Sequence, residues 1–198
     1  MKVNRAECVL LIIDVQDRII ETIADHMVVV QNIKALIKTA EALNVPVLST
    51  EQEKLGETVP ELKELIRSPP VRKVSFSCSG NADFMKKLTE TRKKVVLVCG
   101  IETHICVLQT ALDLLEHRYR VLVARDATSS HAVLDRETAL NRMTGSGATI
   151  TTTEATIYEL AEKSGTDEFR KILEIVKNNR ATQSNRPKSR APAASKKP

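Results

Sequence analysis

One stretch constrains this chain more than any other. Val95-Val96-Leu97-Val98-Cys99 is apolar at every position and stops at Gly100. Cys106 follows a short link, and then Val107, Leu108, Ala111, Leu112 and Leu115 recur at the spacing of one buried helix face. A strand buried on both faces that runs directly into a helix is the repeating unit of an α/β sheet. The pattern places Cys106 in the first turn of a helix that starts just beyond the carboxyl end of a strand. Backbone N–H groups without helical partners and the positive end of the helix dipole meet there, and both favour an anion. The same position lowers a thiol's pKa. Cys106 therefore reads either as a nucleophile or as one more buried small apolar residue. On position alone the buried residue is marginally the simpler reading.

The rest of the chain repeats the strand–helix alternation. Cys8-Val9-Leu10-Leu11-Ile12-Ile13 is a first strand, apolar on both faces and ending at Asp14. Residues 27–43 carry a helical pattern through Val30, Ile33, Leu36, Ile37 and Ala40. Val45-Pro46-Val47-Leu48 is a second strand, after which Thr50-Glu51-Gln52 opens a polar loop. Pro60 starts a short helix that Pro69-Pro70 ends. Val71 to Phe76 alternates like an exposed third strand and carries Lys73. Residues 94–99 form strand four, 119–124 strand five and 148–152 strand six, with helices over 134–144, 154–162 and 167–178. Six strands alternating with helices predict an open α/β sheet with helices on both faces. Ligands of such sheets bind at the carboxyl ends of the strands, near the switch in strand order. Asp14, Lys73 and Cys106 each fall near such an end.

Charge separates the body from its end. Residues 180–198 contain Arg180, Arg186, Lys188, Arg190, Lys196 and Lys197 and no acid. Taking those six from the 30 Lys and Arg leaves 24 against 25 Asp and Glu, so the net charge of +5 belongs to this segment. Residues 1–179 read as one domain and 180–198 as a basic disordered tail. Such a tail is either a solvated end or a contact for nucleic acid, and the body has no nucleic-acid signature to match it. The four cysteines show no metal-type pairing, which fits a reducing compartment. No run is long enough to span a membrane, and a strand pattern begins almost at the N-terminus. A cytoplasmic protein is expected.

Other chemistries leave no trace. There is no Walker loop, no GxSxG elbow and no HExxH. His104 precedes Cys106 by two residues, so their side chains diverge on a helix and a local Cys–His dyad is not expected. His104 is either a pocket residue or a surface histidine at a helix start. His131 follows strand five in a Ser-rich loop, and nothing in the sequence fixes whether it approaches the site.

Three segments in this order resemble one family. Leu11-Ile12-Ile13-Asp14-Val15-Gln16, Lys73-Val74-Ser75-Phe76-Ser77 and Gly100-Ile101-Glu102-Thr103-His104-Ile105-Cys106-Val107 are similar to the isochorismatase-like cysteine hydrolases over about residues 6–162. Thr50-Glu51-Gln52 and Thr58-Val59-Pro60-Glu61-Leu62 resemble the isochorismatase-domain-containing proteins in particular. The resemblance implies a Rossmann-like parallel sheet and an Asp–Lys–Cys triad. Asp14 matches the general base, Lys73 the lysine that holds the carboxylate and thiolate charges together, and Cys106 the nucleophile. A nearby ammonium lowers a thiol's pKa, so Cys106 is expected to be partly ionised near neutral pH. Without Cys106, Asp14 and Lys73 would read as an ordinary ion pair.

The resemblance also implies an oxyanion hole from the backbone N–H groups of Glu102 and Cys106, with a cis peptide between Ile101 and Glu102. Gln16, Phe76 and His104 complete the set as substrate-binding positions. Nicotinamidases of this family carry an Asp/His metal cluster after strand two. Thr50-Glu51-Gln52-Glu53-Lys54 has no histidine, so no metal and no cofactor are expected. Isochorismate hydrolases generally lack the cysteine that this chain keeps. The resemblance thus favours hydrolysis of a C–N bond in a small amide or carbamoyl compound through a thioester. The alternatives are an isochorismatase-type ether hydrolase, an inactive relative, or a nucleic-acid-associated protein, even a nuclease, using its basic tail. Relatives imply a homo-oligomer.

Overall fold

Two strands apolar at every position need cover on both faces, and they form the centre of the sheet. The computed structural model describes residues 2–184. β1 (Cys8–Ile13) and β4 (Val95–Ile101) are buried throughout and pair in parallel from Cys8 opposite Val95 to Ile13 opposite Gly100. β2 (Val47–Gln52) and β3 (Val71–Lys73) extend the sheet on one side, and β5 (Arg120–Ser129) and β6 (Thr149–Thr151) extend it on the other. The order is β3-β2-β1-β4-β5-β6, and every pairing is parallel. The expected six-stranded Rossmann-like sheet is therefore present. The chain winds outward from β1, returns to β4 and winds out the other way, so the switch point lies between those two strands.

Each face has its own core. Cys8, Leu10 and Ile12 point to one layer, formed by α1 (His26–Ala42), α6 (Thr153–Ala161) and α7 (Asp167–Ser184). Val9, Leu11 and Ile13 point to the other, formed by α3 (Ala82–Glu90), α4 (Leu108–Glu116) and α5 (Val133–Gly145). A short α2 (Pro60–Lys63) begins at its proline, which needs no hydrogen-bond partner there.

Three differences from the sequence reading have physical causes. β2 runs through Thr50-Glu51-Gln52, which polarity alone assigns to a loop. These groups tolerate burial because they are bonded: Thr50 Oγ1 donates to Asp14 Oδ1 at 2.7 Å, and Glu51 Oε1 accepts from the Thr58 N–H and hydroxyl at 2.8 and 2.9 Å. β5 continues to Ser129, past Arg125 and Asp126, because its pairing with β4 shifts between Val98 and Gly100 and then resumes at Thr128. α7 extends to Ser184, beyond the boundary set at residue 179. Asn179 and Gln183 both donate to Asn32 Oδ1, at 2.9 and 2.8 Å, and Arg180 pairs with Glu154. The first five residues assigned to the tail are thus helical, and 185–198 lie outside the described residues.

Gly100 fixes how closely β4 approaches β1. It adopts φ +118°, and a Cβ there would stand 2.1 Å from the Ile13 carbonyl oxygen and 2.6 Å from its nitrogen. Both obstacles are backbone of a central strand, which cannot move aside. Gly100→Ala is expected to destabilise the protein by about 3 kcal/mol, read as a lower urea midpoint at unchanged slope. A midpoint equal to wild type would contradict this packing.

Candidate active site

The loop beyond β1 and the turn beyond β4 emerge side by side at the switch point. Asp14 is the first residue after β1, in the left-handed region at φ 51°, and is 1% exposed. Lys73 ends β3, where strand alternation buries Val71 and Lys73 and exposes Arg72. Its side chain crosses the end of β2 and places Nζ 2.6 Å from Asp14 Oδ2. The ammonium also donates to Gln52 Oε1 at 2.8 Å and to the carbonyls of Phe76 and Ser75 at 3.1 and 3.2 Å. Thr50 satisfies the other carboxylate oxygen. The pair is fully buried and fully hydrogen-bonded, which an ion pair in an apolar interior requires.

Cys106 lies in a π-helical turn, Thr103–Val107, that leads into α4. The turn is closed by the Val107 N–H donating to the Glu102 carbonyl at 3.2 Å. Sequence periodicity placed Cys106 in a first α-turn; the wider π-turn is invisible to it. The Ile101–Glu102 peptide is cis, as the resemblance implied. Asp14, Cys106, Glu102 and Phe76 line one cavity of about 320 Å³ with Ile19, Leu55, Ile101 and Ile105, beside Gln52 and Glu53. Cys106, 6% exposed, is the one cysteine that opens onto it.

The thiol's environment corrects the expectation of partial ionisation. Burial pushes the Cys106 thiol well above its ordinary pKa, and the Asp14 carboxylate pushes it further. Lys73 acts in the opposite sense but does not prevail, because Asp14 already compensates its charge. Both effects favour the neutral thiol beside the Asp14 carboxylate. Cys8 and Cys78 are pushed up to about 12 and about 11, both by burial, and Cys99 is also raised by burial.

Of the remaining candidates, only Phe76 reaches the cavity. Gln16 is completely buried. Its amide donates to the carbonyls of Gln52 and Gly56 at 3.0 and 2.8 Å, and its Oε1 accepts from the Gln52 N–H at 2.8 Å. It positions the end of β2 and does not meet a ligand there. His104 turns away from the thiol, with Nδ1 3.0 Å from Ser130 Oγ and Nε2 3.9 Å from Asp135. The His131 N–H binds the Glu102 carboxylate at 2.9 Å. Thr50 and Gln52, which orient the ion pair, escaped sequence reasoning because their segment read as loop. Among the described residues no group of three or more His, Cys, Asp or Glu could hold a metal ion. Glu51, in the segment where a metal cluster was considered, is committed to Thr58, with Arg72 at 3.7 Å.

Comparisons with known proteins agree with this architecture. Residues 8–155 match the family described as the Isochorismatase domain. A protein of Phytophthora sojae named a secreted isochorismatase effector is 39% identical, over 88% of this chain and 87% of its own. A Caenorhabditis elegans structure named MAR1 ribonuclease superposes with a TM-score of 0.85 at 32% identity, covering 98% of this chain and 99% of the other. YcaC from Pseudomonas aeruginosa, solved with hexane-2,5-diol and covalent acrylamide, gives 0.83 at 26% identity, covering 92% and 96%.

The thiol's environment makes a signed prediction. Asp14→Asn removes a charge that raises the pKa and leaves Lys73 uncompensated, so iodoacetamide labelling of Cys106 at pH 7.5 should quicken by roughly tenfold for each unit the pKa falls. Lys73→Met should slow it. In the wild type the rate should keep rising with pH, without a plateau near neutrality. Cys106 should nonetheless label faster than Cys8, Cys78 or Cys99, which do not line the cavity. Peptide-resolved mass spectrometry reads all of this, and equal effects of the two substitutions would contradict the electrostatics.

Proposed function

This chain belongs to the isochorismatase family of hydrolases, and within it we propose a cysteine amidohydrolase that acts on a small amide or carbamoyl compound through a thioester. The observation that carries the reading is geometric: Cys106 and the Asp14 carboxylate line one cavity, and Lys73 holds that carboxylate from behind at 2.6 Å. Asp14 takes the thiol proton as sulfur attacks the carbonyl carbon. The C–N bond breaks, and Asp14 returns the proton to the departing amine. Water then adds to the thioester with Asp14 as base, releasing the acid and restoring the thiol. The backbone N–H groups of Glu102 and Cys106 are proposed to receive the developing oxyanion. No step draws on a metal. Covalent acrylamide in the Pseudomonas aeruginosa protein supports a nucleophile in the shared fold, since acrylamide is an electrophile that thiols add to.

The name of the Caenorhabditis elegans relative attaches a second reading, ribonuclease, to this fold. In this chain the cavity's lining holds no histidine and no cation to meet a phosphodiester. The basic segment 180–198 remains the feature that favours RNA, and salt-dependent RNA binding with and without it separates the readings. We further propose a homo-oligomer, supported by Val133 and Leu134, 55% and 76% exposed at the start of α5. A cytoplasmic location is proposed from the four free cysteines, although one relative is named a secreted effector. No described helix is long and apolar enough to cross a membrane.

The decisive test is a panel of small amides with ammonia release and intact-mass detection of an acyl adduct. Cys106→Ser should lower turnover by about a thousandfold or more and abolish the adduct at an unchanged melting temperature. Full amide turnover by Cys106→Ser, or RNA cleavage that survives the substitution, would overturn the assignment.

A further inference from the structure

The charges around the cavity bear on what it admits. Three carboxylates line it: Asp14 beside the thiol, and Glu53 and Glu102. No Lys, Arg or His is among its lining residues. The nearest ammonium, Lys73, has three N–H groups and already faces four acceptors within 3.2 Å, so it has nothing left to offer a ligand. Glu53 is exposed, and its carboxylate has no hydrogen-bond or ion-pair partner among the described residues. Glu102 accepts one backbone N–H, from His131, and no cation. The walls between these groups are the apolar side chains Ile19, Leu55, Phe76 and Ile105.

On the basis that Cys106 is the nucleophile, we propose that this cavity selects a neutral or cationic small amide with an apolar body and rejects anionic substrates, carboxylates such as isochorismate included. A carboxylate entering the cavity would meet Glu53 and Glu102 with no cation among the lining residues; Arg18, Lys54 and Arg72 sit with Glu53 in the adjoining cavity, outside this one. An ammonium or an uncharged carboxamide meets no such penalty, and its hydrocarbon portion finds apolar walls. Glu53 is the specificity-determining residue because its carboxylate lines the cavity outside any ion pair and makes no contact that the Lys73–Asp14 pair or the thiol needs. Family membership alone would leave anionic substrates open; the side chains of this chain argue against them.

The test reads the field at the thiol itself and needs no substrate. The full-length protein is alkylated at pH 8.5 with 2-bromoethylamine, iodoacetamide and iodoacetate, which deliver a cation, a neutral group and an anion. Modification of Cys106 is followed by peptide mass spectrometry, and each rate is divided by that of N-acetylcysteinamide with the same reagent. The normalisation removes intrinsic reactivity, and ratios between reagents remove any change in thiol pKa. The expected order is cation over neutral over anion, with roughly tenfold between the extremes. Glu53→Gln should narrow that span about threefold, and Glu53→Lys should bring iodoacetate level with iodoacetamide. Both replace an exposed side chain, so the fold is retained. Iodoacetate reacting as readily as iodoacetamide, in these normalised rates, would overturn the charge proposal and leave the nucleophile reading standing. So would a span that Glu53→Gln does not change. A Cys106 inert to all three reagents would overturn the nucleophile reading, and this proposal with it.

Discussion

The ion pair between Lys73 and Asp14 is the interaction on which the rest of the site depends. Two charges removed from water cost several kcal/mol each unless every remaining lone pair and proton finds a partner. Here they do: Thr50 holds one carboxylate oxygen, and Gln52 and two carbonyls hold the ammonium. Those partners come from β2 and the turn after β3, and the two charges from the residue after β1 and the last residue of β3. The pair therefore exists only when these strands lie side by side with their carboxyl ends level. A one-residue slip of β3 would turn Lys73 to solvent and break its bond to the buried Asp14. The same interaction that suits catalysis thus penalises wrong registers of the sheet's edge.

The second constraint works from the other side of β1. The thiol comes from β4, which must lie close enough for its following turn to meet the loop after Ile13. Gly100 permits that approach, since its missing side chain lets the Ile13 backbone fill the space. Asp14 follows Ile13 directly, so the contact that packs the strands also sets where the carboxylate begins. The site is a product of the switch point: two chain segments leave adjacent strands in opposite directions and open a crevice between them.

The centre of the fold was legible in the sequence because its strands are uniformly apolar and its helices keep a clear period. Asp14, Lys73 and Cys106 were legible because each ends or follows such a run. What escaped was polarity used inside the sheet. Thr50, Glu51 and Gln52 look like loop, since composition does not reveal that Asp14, Thr58 and Lys73 lie opposite to satisfy them. Gln16 and His104 belong to the motifs that carry the family resemblance, yet one braces the end of β2 and the other bonds Ser130. Proximity in a motif says that a residue matters to the site's construction; which atoms face the cavity is decided by long-range packing. The thiol's pKa was misjudged for a related reason. Helix start and lysine were visible, but burial and the compensation of Lys73 by Asp14 are properties of the assembled site.

A protonated resting thiol fits the proposed chemistry better than a standing thiolate would. With Asp14 ionised and Lys73 charged, the buried cluster is neutral. Ionising Cys106 to solvent would leave it with a net negative charge against apolar walls, which is the cost expressed in the raised thiol pKa. In the proposed step the proton passes to Asp14 instead, and the Lys73 ammonium, whose charge already acts on the thiol, then faces a thiolate in place of a carboxylate. The cluster's net charge is conserved through that transfer, so the ammonium offsets whichever group is negative. In the proposed reaction the nucleophile is thereby generated at the moment of attack, beside the carbonyl that consumes it.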